Sequence, residues 1–95
     1  MFVNIIVLEC SWKSFYYTTV EDEGNQIGSH HESKTEDECR QMCDNANECY
    51  SFGYCHVSKG CSLYDKVLTG NEKHARRKDD CYTKYLHCTG NNLNN

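Results

Sequence analysis

Proline is absent from the 95 residues, so no Pro-rich linker divides the chain. No internal repeat or low-complexity tract occurs apart from an Asn-rich tail, and no apolar stretch is long enough to span a bilayer as a helix. Basic residues are the scarcer sign: ten Lys and Arg stand against fourteen Asp and Glu, a net charge of −4. General nucleic-acid binding needs a basic surface and is not expected. Catalytic signatures are missing too, with no G-x-S-x-G, no HExxH and no phosphate-cradling glycine loop. The acidic groups Glu21 to Glu23 and Asp79-Asp80 lie in polar stretches with nothing to raise a pKa. The chain therefore reads as no enzyme. There is no C-x-x-C pair, the five histidines show no ligand spacing, and His30-His31-Glu32 sits in a polar loop where imidazoles are ordinarily solvated. Neither a metal nor a cofactor is expected. No Asn-x-Ser/Thr sequon occurs, so folding does not depend on N-glycans at that motif.

What the chain does have is cysteine, eight in 95 residues, near the density that marks a disulfide scaffold. A chain this short forms one domain with a modest core. An even cysteine count in such a chain suits an oxidising compartment, so a secreted, extracellular protein is expected. Counting alone leaves the connectivity open.

Five of the eight cysteines fall between Thr35 and Tyr64. Thr35 is a good N-cap and Glu38, three residues on, completes a capping box. Glu36, Asp37 and Glu38 put negative charge in the first turn, where the helix dipole favours it. Cys39 and Cys43, four apart, share the buried face with Met42 and Ala46 beside them, and Asp44, Asn45 and Asn47 end the helix by offering competing local hydrogen bonds. Tyr50, Phe52 and Tyr54 then alternate with Ser51 and Gly53, and after a turn at His56 to Gly60, Cys61 and Leu63 alternate with Ser62 and Tyr64. This pattern predicts an antiparallel hairpin.

The flanking segments are less strongly patterned. Residues 1–9 are apolar but lack a basic n-region and a small-residue cleavage site, which leaves a β-branched first strand or a signal remnant. Residues 10–88 form the expected domain. Within it Trp12, Phe15, Tyr16 and Tyr17 read as core bulk, and as a binding surface only if several of the rings are exposed. Val20 to Ser33 and Thr69 to Asp80 read as exposed loops, Cys81 to Cys88 as a closing strand, and residues 89–95 as a frayed tail.

The early cysteine with its nearby tryptophan (Cys10, Trp12), the helix peptide DECRQMC (Asp37 to Cys43), C-Y-S-F-G-Y (Cys49 to Tyr54), G-C-S-L-Y (Gly60 to Tyr64) and the closing Y-L-H-C (Tyr85 to Cys88) resemble the PAN/apple family. Within it they resemble the leech anti-platelet proteins that bind collagen. The likeness covers residues 10 to 88. It implies an α+β, disulfide-rich domain with one helix packed on a curved antiparallel sheet, and the bridges Cys39–Cys61, Cys43–Cys49 and Cys10–Cys88. Cys55 and Cys81 are left over from that six-cysteine frame and are expected to pair with each other.

Function follows as an expectation of the same kind. The resemblance implies a secreted, non-catalytic binding module for an extracellular protein or glycan, with collagen and anti-adhesion activity as a specific form of it. The alternative is a toxin, host-defence or signalling protein that borrows a disulfide scaffold. The acidic charge argues against membrane insertion, for which a cationic amphipathic helix would be expected. Two sites are candidates. If Phe52 and Tyr54 point inward with Leu63, then Ser51, Gly53, Ser62 and Tyr64 point outward, and Tyr64 with Tyr85 forms an exposed aromatic surface. Ordinary cross-strand packing is the competing reading. Lys73, His74, Arg76, Arg77 and Lys78 form a basic loop on an acidic chain, suited to heparin and other sulfated glycans, unless Glu72, Asp79 and Asp80 neutralise it.

Overall fold

The computed structural model describes residues 6–20 and 22–92. In chain order they form β1 (Ile6–Thr19), a 3-10 turn (Glu23–Asn25), β2 (Gln26–His31), α1 (Glu36–Asn45), β3 (Ser51–Cys55), β4 (Gly60–Tyr64) and β5 (Arg76–Asn92). The five strands make one sheet in the order β1-β5-β3-β4-β2, with every neighbouring pair antiparallel. One helix packs on this sheet.

The helix begins where its cap dictates. The Thr35 hydroxyl accepts from the Glu38 N–H at 3.1 Å, and the Glu38 carboxylate accepts from the Thr35 N–H at 2.9 Å. At the other end the Ala46 N–H donates to the Met42 and Cys43 carbonyls and the chain turns extended. Cys39 and Cys43 are buried together against Phe52, Tyr54, Cys61, Leu63 and Tyr82. Trp12 of β1 meets Phe52 edge-on with ring centroids 5.3 Å apart. A buried aromatic of this size dominates so small a core. An ion pair between Glu36 and Lys84 ties the first helical turn to β5, and the Tyr54 hydroxyl donates to the Lys34 carbonyl at 2.7 Å.

The eight cysteines form four bridges. Cys39–Cys61 staples helix to β4, and Cys43–Cys49 closes the helix exit. Cys10–Cys88 and Cys55–Cys81 each join directly opposite residues of neighbouring strands. Three of them, Cys39–Cys61, Cys43–Cys49 and Cys10–Cys88, are the pairs that the PAN/apple resemblance implies, and Cys55–Cys81 joins the two cysteines left over from that frame.

Three segments differ from the sequence expectation. The polar stretch expected as a loop after Val20 contains β2, whose Gln26 and Ile27 pair with Tyr64 and Leu63. An unpartnered β4 edge would leave its backbone groups unsatisfied, and this pairing outweighs a sequence with little strand character. The expected basic loop is split: Lys73 and His74 precede β5, whereas Arg76, Arg77 and Lys78 lie in it, with Arg76 and Arg77 opposite Thr19 and Thr18. The expected tail is strand as far as Asn92, which pairs with Ile6. β1 runs without a break from Ile6 through Cys10, and residues 1–5 and 93–95, about which the sequence also raised expectations, lie outside the described residues. Beyond Leu86, whose N–H donates to the Tyr50 carbonyl, β5 has only β1 as a neighbour among the described strands. The resulting two-stranded ribbon stretches the molecule to 56 × 26 × 23 Å.

Candidate functional site

The pair of tyrosines expected to form an exposed sheet surface does not do so. Both are cross-strand partners of Ser51, on the same face, but Tyr64 is only 5% exposed and Tyr85 is half-buried. The cause lies in residues 65–75, which fold back over that face. The fully buried Ser51 hydroxyl donates to the Lys66 carbonyl and accepts from the Leu68 N–H. Leu68 is thereby pressed against Tyr64 and Val20, with Ala75 alongside. The Tyr64 hydroxyl donates to the Val20 carbonyl at 3.2 Å. Ser62 is buried as well, so β4 is covered on both faces. Gly70 allows the segment to close down: its φ is +92°, and a Cβ there would stand 2.7 Å from the Phe15 ring.

The basic residues are exposed, and β5 carries three of them to the rim of the sheet. Arg77 donates to the Asp79 carboxylate at 3.0 Å, with both side chains largely in solvent, a pairing of small energetic weight. Its guanidinium also lies over the Tyr17 ring, 5.9 Å from the centroid, within cation–π range.

That contact leads to residues that sequence reasoning assigned to the core. Tyr16 is 60% exposed, Tyr17 58% and Phe15 36%. A signal for this was present, since three consecutive aromatics in a strand cannot all face one core when side chains alternate. The local backbone adds to it. Between Tyr16 and Thr18 the β1–β5 register slips, and Tyr17 takes a φ of +61°, a left-handed conformation that is rare and costly for a bulky residue. Such outliers persist where the surroundings over-determine them, and they gather at functional positions.

From Tyr17 a run of ring contacts leads through the exposed Tyr16 to the buried Tyr82. Tyr16 lies 6.3 Å from Tyr17 and 5.8 Å from Tyr82, and the exposed His56 lies 5.3 Å from Tyr82. Lys84 stands over the far side of the row, 5.5 Å from the Tyr82 ring. Burial, and then the neighbouring Glu36 carboxylate, push the Tyr82 phenol well above its ordinary value, so it stays neutral. Its hydroxyl lies close to Glu36 without closing a well-formed hydrogen bond. All eight cysteines are oxidised, and the adjacent His30 and His31 point to opposite faces of β2, so they share no site. The arrangement of exposed tyrosine faces beside a guanidinium and an imidazole suits recognition, Tyr and Arg being the residue types that dominate binding hot spots.

A profile of the PAN domain family matches residues 10–88. Comparison with curated proteins returned no match.

Proposed function

Because the chain belongs to the PAN domain family, whose members commonly bind proteins or carbohydrates and are generally non-catalytic, we propose that it is a secreted binding module for an acidic extracellular glycan or protein. The observation that carries this reading is the Tyr17–Arg77 pair: an exposed ring held in a strained backbone with a guanidinium over its face. The strain costs on the order of 1–2 kcal/mol, which a surface without a task has no reason to keep. Arg76 and Lys78 flank Arg77 in sequence, which gathers three cations at this rim on a chain of net charge −4, although Asp79 pairs with Arg77 and offsets part of their charge. The extracellular placement is supported by four disulfides, which persist in oxidising compartments. Among the described residues no helix is long and apolar enough to cross a membrane.

Collagen is the finer form of the proposal, motivated by the resemblance of DECRQMC and its neighbouring cysteines to the leech anti-platelet proteins. An array of collagens, other matrix proteins, heparin and carboxylated glycans tests both levels. The expected result is a salt-sensitive ligand whose binding is lost in Tyr17→Ala and in Arg77→Ala while the melting temperature holds. Undiminished binding by both variants would remove this edge as the site. Binding to uncharged ligands alone would remove the acidic class.

A further inference from the structure

The sheet face turned away from the helix is not closed along its whole length. Thr83, Gly53 and Ser62 stand in one cross-strand row on β5, β3 and β4. A Cβ at Gly53 would meet no heavy atom within 4 Å, so the middle of the row is bare. Above it lies a pocket of about 160 Å³, room for about five waters at ~30 Å³ each.

The lining mixes polar and apolar groups. His30 leans over Gly60, where a Cβ would stand 2.7 Å from the imidazole, and its Nδ1 lies 2.6 Å from the Ser62 hydroxyl. Gly60 is therefore the residue that lets the imidazole seat, and Ser58 and Lys78 complete the polar lining. Val20, Tyr64 and the Cys55–Cys81 bridge supply the apolar part. None of the lining residues carries a carboxylate.

We propose that this pocket seats one carboxylated sugar residue. The acid group pairs with Lys78, the sugar hydroxyls exchange hydrogen bonds with Ser58 and Ser62, and the C–H face of the ring rests on Val20 and Tyr64. The volume admits a single ring, so a longer glycan continues outward. The inference rests on the binding-module reading, but it names a separate subsite.

Titration of the ¹⁵N-labelled protein with glucuronate, N-acetylneuraminate, glucose and acetate, followed by amide chemical shifts, tests it. One or both acid sugars are expected to move the amides of Gly53, Ser62 and Lys78, with glucose and acetate at least about tenfold weaker, the worth of one charge-assisted contact. Lys78→Ala is expected to weaken binding by a similar factor. Gly53→Val places methyl groups in the open space and abolishes the shifts; its melting temperature is measured alongside, and Lys78→Ala serves if it fails to fold. No shift with either acid sugar overturns the proposal, as does equal binding of glucose or acetate. The edge site is scored separately. Tyr17→Ala and Arg77→Ala leave the single-sugar shifts intact, so array binding that depends on them survives a failed pocket, and pocket shifts survive a failed edge.

Discussion

Tyr64 and Tyr17 are both tyrosines on strands, yet truncation has opposite consequences for them. Tyr64→Ala empties a site that is 5% exposed, and large-to-small changes of buried aromatics cost about 3–5 kcal/mol. A thermal or urea melt is expected to show a marked loss, whereas Tyr64→Phe, which keeps the ring and gives up the bond to the Val20 carbonyl, costs about 1 kcal/mol. A silent Tyr64→Ala would mean that residues 65–75 do not cover this face in solution. Tyr17→Gly relieves the φ of +61°, so its melting temperature is expected to hold or rise while ligand binding falls; a clear destabilisation would show the ring to be packed. The sequence distinguishes the two poorly, because what buries Tyr64 is a hydrogen-bonded return of the chain through Ser51 that no local pattern encodes. The sequence reading assigned Phe15, Tyr16 and Tyr17 to the core; the period of two shows only that they cannot all face it, and not that Tyr16 and Tyr17 are both exposed.

At the scale of elements, the join between α1 and β5 is sensitive to acid. Partial burial works to raise the Glu36 pKa, but the Lys84 ammonium and the Tyr82 phenol outweigh it and hold the carboxyl below its ordinary 4.5. A pKa lowered on folding contributes stability that is fully present above the unfolded value and is lost as the pH falls through the folded one. The urea midpoint is therefore expected to drop as the pH falls below about 4.5, and Glu36→Gln is expected to flatten that drop. Parallel curves for the variant and the wild type would show that the ion pair contributes nothing. The helix itself depends on its cap, and Thr35→Ala is expected to cost about 1 kcal/mol in the same measurement. The helix and the β3–β4 hairpin were legible because capping chemistry, the i to i+4 cysteine spacing and strict alternation are all local. β2 was not, since Gln26 to His31 becomes a strand only by completing the edge of β4. β5 was legible from Cys81 to Cys88 and hidden at both ends, where its charged and Asn-rich residues are held by pairing with β1.

Across the whole molecule, stability is unevenly distributed. The hairpin and helix carry the core, while among the described strands residues 6–11 and 87–92 pair with each other and are joined by the Cys10–Cys88 bridge. A two-stranded ribbon is marginal by itself. Replacing both Cys10 and Cys88 by serine is expected to speed amide exchange in the ribbon while β3 and β4 keep their protection; uniform loss of protection would mean that the bridge stabilises the domain as one unit. The ribbon also has a geometric consequence. Because Ile6 stands opposite Asn92, the described residues begin and end at one tip of the ribbon, and Tyr17, eleven residues along β1, lies roughly 36 Å away at about 3.3 Å per residue. The ribbon is in that sense a mast, with the exposed Tyr16 and Tyr17 rings at the end far from its tip.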